Sequence, residues 1–90
     1  MLEIIEARYV DGCRIHVRFN NGEGGLVDLG EALWGPVFEP LKDPQLFGRF
    51  ELSEVFHTIT WDNGADLAPE YIHRKMVEQA GVAGAASTPR

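Results

Sequence analysis

The chain has 90 residues, 44% of them hydrophobic and 24% charged, which is the composition of one soluble globular domain and excludes collagen, coiled coil and disorder. Fourteen acidic against eight basic side chains give a net charge of −6. Because the basic residues are also scattered, the surface repels a phosphate backbone, and neither membrane nor direct nucleic-acid binding is expected.

The single cysteine, Cys13, has no intrachain disulfide partner. Glu3, Glu6 and Arg8 interrupt the first ten residues, so no signal-peptide core is read there. No apolar run reaches the roughly 18 residues of a membrane helix, and the expected compartment is the cytoplasm. A chain this short buries a modest share of its surface, so its stability margin is thin. A homodimer or another partner covering leftover apolar surface is a natural source of extra stability.

In chain order, Ile4 to Val10 and Cys13 to Phe19 read as two strands joined at Asp11-Gly12. The second strand alternates strictly, with Cys13, Ile15, Val17 and Phe19 on one face and Arg14, His16 and Arg18 on the other. A three-residue loop, Asp11-Gly12-Cys13, pairs Tyr9 with Ile15, Ala7 with Val17 and Ile5 with Phe19. That register is preferred because it joins apolar faces, whereas a one-residue slip puts Glu6 and Arg8 on the buried side. Asn20-Asn21-Gly22 turns into a third strand, Glu23 to Leu29, with Leu26 against Val17 and with Gly24 and Gly25 marking an edge or a bulge. Asp28 and Glu31 have capping-box spacing for a helix of about two turns, stopped by Gly35-Pro36. Asp43-Pro44 caps a second short helical turn. Leu52 to Trp61 supplies one or two further strands, the clearer being His57 to Trp61. A helix follows from about Leu67 to Gln79. Asp66 is its expected N-cap, Ala68, Ile72 and Met76 its apolar stripe, Glu70, Arg74 and Glu78 its charge ladder, and Gly81 its stop.

The fold class is therefore α+β: a small antiparallel sheet, made of an N-terminal three-stranded meander plus one or two later strands, packed with short helical turns and a C-terminal helix. Residues 1–80 form a single domain and 81–90 a flexible tail.

Four candidate sites follow from the residues. Asp62, Asp66, Glu70 and His73 lie within twelve positions, as a divalent metal or acid–base pair would need. Turn, cap and surface ion-pair roles account for them better, and no other segment supplies ligand spacing, so no catalytic residue and no cofactor is assigned. Cys13 has no helix N-terminus beside it and reads as a structural thiol. Arg14 and Arg18, with His16 between them, form a small basic stripe able to face an acidic partner, although solvated charges on the outer face of a sheet are the commoner case. Finally, Trp34, Val37, Phe38, Phe47 and Phe50 give one irregular segment many large apolar groups. They are either core, the favoured reading, or a partner surface, with Trp34, Phe38, Phe47 and Trp61 the residues to carry it.

Two stretches, Gly35-Pro36-Val37-Phe38-Glu39-Pro40-Leu41-Lys42-Asp43-Pro44 with Phe47, and Ile59-Thr60-Trp61-Asp62-Asn63-Gly64-Ala65-Asp66-Leu67-Ala68-Pro69, resemble a bacterial domain of unknown function, family 2442. Asn20-Asn21-Gly22 and Val27-Asp28-Leu29 match as well, so the resemblance covers most of Met1 to Met76. It implies a small α+β fold without an established activity, sometimes fused to a C-terminal helix-turn-helix. It also implies a gene often placed beside that of a second small protein, in an arrangement resembling toxin–antitoxin pairs. No helix-turn-helix is read after the last helix here, so a DNA-binding role is not carried over from fused members. The expectation is a non-enzymatic protein-interaction or regulatory module, such as the antitoxin-like member of a two-gene pair. Its partner would be a second copy or the small protein encoded next to it. The alternatives are a metal-dependent or hydrolytic enzyme using the Asp62, Asp66, Glu70 and His73 cluster, and a transcriptional regulator.

Overall fold

A computed structural model describes residues 1–87 of the chain and side chains as far as Ala80. Three antiparallel strands, β1 (Ile4–Asp11), β2 (Arg14–Phe19) and β3 (Gly24–Asp28), form a meander in that order. The excursion between sheet and helix holds 3₁₀ turns at Gly30–Ala32 and Glu39–Lys42, then one helical turn, α1 (Pro44–Phe47). A second sheet pairs β4 (Glu51–Leu52) with β5 (Ile59–Thr60), and α2 (Pro69–Ser87) packs against β3. The α+β expectation, a meander with later strands, short helical turns and a C-terminal helix, is what the chain adopts.

The meander follows its alternation. Ile15, Val17 and Phe19 of β2 are fully buried, while Arg14, His16 and Arg18 point away from the core. Tyr9 pairs with Ile15 and Ala7 with Val17, as the favoured register requires. At the far end the register departs from expectation. Ile4, not Ile5, faces Phe19, because a bulge falls between Ile4 and Glu6 and leaves Ile5 44% exposed. A second irregularity between Tyr9 and Asp11 lets Asp11 pair with Arg14, so the connecting turn is Gly12-Cys13 and not Asp11-Gly12-Cys13.

In the second hairpin His16 pairs with Leu26 and Val17 with Gly25, so Leu26 is exposed and Val27 takes the buried place beside Ile15. Gly24 is required there: a Cβ on it would meet the Val17 carbonyl oxygen at 2.8 Å and Arg18 Cα at 3.3 Å.

Other boundaries differ for identifiable reasons. The helix expected after Asp28 is only the Gly30–Ala32 turn, since Asp28 Oδ1 accepts from Gly30 N at 2.8 Å and holds a local turn. Asp43 does cap α1, its side chain accepting from Gln45 N at 2.9 Å. Asp66 is not the cap of α2; it forms an isolated antiparallel bridge with Thr60, and the Ala68 carbonyl accepts the first helical bonds, from Tyr71 N and Ile72 N. His57, expected within a strand, turns with φ 53°, and β5 begins two residues later. The α2 backbone also runs past Gly81 through an alanine-rich stretch to Ser87. The tail expected over 81–90 falls outside the residues whose side chains are described.

Candidate functional site

One aromatic segment divides between core and surface. Leu33 and Leu41 are buried, and Phe47 is buried at the centre of an aromatic cluster, with ring centroids 6.2 Å from Tyr9, 6.4 Å from Phe50 and 5.6 Å from Trp61. The Trp61 indole N–H donates to the Phe47 carbonyl oxygen at 2.9 Å, satisfying a buried donor and clamping α1 to the end of β5. Among the described residues every buried side-chain nitrogen and oxygen has a hydrogen-bond partner.

Trp34 lies on the other side of this division. Leu33 N donates to the Gly30 carbonyl and Trp34 N to that of Ala32, which tightens the chain as it leaves the 3₁₀ turn. Gly35 then reverses it at φ 92°, a conformation L side chains rarely adopt, and Glu39 N returns to the Gly35 carbonyl at 2.8 Å. This loop holds Trp34 outward, 74% exposed, with Val37 also exposed. Phe38 is half-buried, its ring edge-on to Trp61 at 6.4 Å.

Leu67, just before α2, and Tyr71, in its first turn, face the loop across an open apolar groove of about 420 Å³, which Ala32, Trp34, Gly35, Pro36, Val37 and Phe38 complete. Asn63 pins this wall in place: its Nδ2 donates to the Val37 carbonyl at 3.0 Å while its Oδ1 accepts from Ala65 N at 3.0 Å. In contrast to Trp61, Trp34 leaves its indole N–H without a partner among the described residues.

The other candidates are arranged differently. Arg14 and Arg18 share the outer face of β2, but each is already paired. Arg14 holds Asp11 through two contacts of 2.7 and 2.6 Å, and Arg18 holds Glu6 at 2.9 Å. The arginines keep both carboxyl groups below the usual carboxylate range, so the stripe offers a partner less free positive charge than its sequence implies. The Cys13 thiol is pushed up by burial and by nearby Asp28, the opposite of an activated nucleophile.

Asp62, Asp66, Glu70 and His73 do not converge. Among the described residues no three His, Cys, Asp or Glu side chains are placed to hold one metal ion. His73 instead meets Glu23 at 2.6 Å and lies edge-on to Phe19, tying α2 to the β2–β3 turn. That contact, together with Asn21, holds the Glu23 carboxyl below its ordinary range. The expected Glu70–Arg74 pair is replaced as well: Arg74 lies 5.4 Å from the centre of the Tyr71 ring, and Lys75 reaches Glu31 at 3.6 Å and Glu78 at 3.8 Å.

Two features were not read from the sequence. Leu67 and Tyr71 wall the groove, and their i,i+4 spacing on the flank of the buried stripe was the available signal. Val55 and Phe56, 77% and 69% exposed, stand on the β4–β5 turn, where Ser53 Oγ accepts from both their backbone N–H groups.

A family model described as "Protein of unknown function (DUF2442)" matches residues 4–78, and the chain belongs to that family. No curated protein matches it. A solved structure with the same fold is that of the "Putative DNA Binding Protein" of Nitrosomonas europaea, at 24% sequence identity and a TM-score of 0.77. The match covers 90% of this chain but only 52% of that one, so the present chain spans about half the length of its structural neighbour.

Proposed function

We propose that this member of the DUF2442 family is a non-enzymatic protein-interaction module, and that the groove between Trp34 and Tyr71 is the surface it uses. The observation that carries this reading is the exposure of Trp34 beside the apolar lining of the groove. Solvent-facing tryptophan costs solubility and is enriched at the centres of binding surfaces, where one large flat ring desolvates on contact. We take residues 1–80 as the folding unit, with the α2 backbone continuing to Ser87, and the cytoplasm as its compartment.

The partner we favour is the small protein encoded beside this gene, with the present chain in the regulatory, antitoxin-like role. Its acidic charge suits a basic partner. Size-exclusion chromatography of the two co-expressed proteins tests this: a co-eluting complex is expected with wild type and its loss with Trp34→Ala. Separate elution of the wild-type proteins removes that partner, and a complex indifferent to Trp34→Ala removes the groove.

A second reading takes its cue from the DNA-binding name of the structural neighbour. Against it stand the net charge of −6 and the pairing of Arg14 and Arg18 with acids of their own sheet. Gel shifts at low salt discriminate; a retarded complex would put transcriptional regulation first. The metal-dependent alternative has no support among the described residues, where no three His, Cys, Asp or Glu side chains are placed to hold one ion.

A further inference from the structure

We infer that the open edge of β1, a surface separate from the Trp34 groove, takes an extended segment of a partner protein as an added antiparallel strand, with an aspartate or glutamate of that segment set opposite Arg8. Backbone parity defines the edge. Phe19 N donates to the Glu23 carbonyl and Leu29 N to that of Cys13, so the odd-numbered residues of β2 turn toward β3 and the even-numbered ones toward β1. Arg18 and His16 therefore bond Glu6 and Arg8, their partners in the register, and the peptide groups of Ala7 and Tyr9 turn away from the sheet. Among the described residues nothing pairs with them on that side, where β1 has no neighbouring strand.

The opposite edge of the sheet is closed. There the outward peptide of Asp28 on β3 is taken by the side-chain amide of Gln79 on α2, whose Nε2 donates to the Asp28 carbonyl and whose Oε1 accepts from Asp28 N, both at 2.8 Å. On β1 such a tie exists only at the beginning, where Ile4 N donates to the His57 carbonyl at 2.9 Å. The bulge between Ile4 and Glu6 and the irregularity between Tyr9 and Asp11 confine the free run to Glu6 through Tyr9. Beside that run lies an open cavity of about 530 Å³ lined by Glu6, Ala7, Arg8, His16 and Leu52, which is room for a short strand.

Charge in the same lining selects the residue. Glu6 is held by Arg18 at 2.9 Å, whereas neither Arg8 nor its cross-strand neighbour His16 makes an ion pair among the described residues. A strand bonded to Ala7 and Tyr9 places its intervening residue directly opposite Arg8, at a non-hydrogen-bonded position where side chains come closest. The group that fits there is a carboxylate. A second copy of β1 in the same antiparallel ladder would set Arg8 against Arg8, and like charges directly opposed disfavour that pairing.

Fluorescence anisotropy on the full chain tests this with short dye-labelled peptides of alternating threonine and valine around one central glutamate. The parent peptide is expected to bind. N-methylation of the two residues flanking the glutamate removes the protons that the Ala7 and Tyr9 carbonyls accept and should weaken binding about tenfold, whereas N-methylation of the glutamate itself, whose N–H points away from β1, should not. Replacing the glutamate by lysine should also cost about tenfold, and Arg8→Glu should restore that peptide while weakening the parent. Matching thermal midpoints confirm that the variant is folded.

No binding of the parent peptide, indifference to the position of N-methylation, or failure of Arg8→Glu to restore the lysine peptide overturns the inference. Trp34→Ala should leave peptide binding unchanged; its loss would put the peptide in the groove and overturn the assignment to β1. Hydrogen exchange of the protein alone at rising concentration supplies the last arm. The Ala7 and Tyr9 amides should stay unprotected, and protection that grows with concentration would give the edge to a second copy instead.

Discussion

Trp34 to Phe38 and Leu41 to Phe50 are successive parts of one irregular excursion, both carrying large apolar groups, and they end in opposite environments. The second part folds inward because it has somewhere to attach. Asp43 caps α1, the Trp61 N–H takes the Phe47 carbonyl, and three aromatic rings close around Phe47. The first part is held just as definitely, by Gly35 and by Asn63, but held facing outward. Hydrophobicity alone does not decide burial here; the backbone ties around each group do.

Removing the inward anchor breaks the comparison most severely. Phe47→Ala deletes a fully buried ring at the centre of the aromatic cluster and leaves a cavity between Tyr9, Phe50 and Trp61. A loss of about 3–5 kcal/mol is expected, to be read from urea unfolding, and a loss below about 1 kcal/mol would mean that this ring is not the hub. In a domain with so thin a margin the variant will be close to unfolded at ambient temperature.

Asn63→Ala acts on the tie between the two parts. It removes the bond to the Val37 carbonyl and the local bond to Ala65 N, for an expected cost of about 1–2 kcal/mol. The sharper readout is hydrogen exchange. The Glu39 amide, bonded to the Gly35 carbonyl, should lose protection while those of β2 keep theirs, and uniform loss across both would show that Asn63 supports the whole fold and not the groove wall.

Much of this division was legible beforehand. Alternation placed Ile15, Val17 and Phe19 inside, and Asp43-Pro44 placed the cap of α1, because both signals are local and repeat with the period of the element that they build. The bulge at Ile5, the bridge between Thr60 and Asp66, and the turn of Glu23 toward His73 depend on segments distant in the chain, and propensity carries no information about them. The groove was half legible for the same reason. Trp34 and Phe38 stood out by composition, but the opposing wall at Leu67 and Tyr71 exists only once α2 packs against the meander. The acid and histidine cluster shows the converse: closeness in sequence spread its members over a bridge, an exposed helix face and a contact with another turn.

Trp34→Ala should have the smallest effect on stability, and it sharpens the comparison for that reason. With 74% of its surface exposed, Trp34 gives up little hydration on folding, so its removal should change unfolding free energy by no more than about 0.5 kcal/mol. The same truncation applied to Trp61 would strand the clamp on α1, although the two side chains are chemically identical. Thermal denaturation of Trp34→Ala beside wild type measures the difference. A midpoint shift comparable with that of a core substitution would mean that the ring is buried in solution, by a second copy or by the chain itself. An unchanged midpoint would show that the fold does not need this side chain.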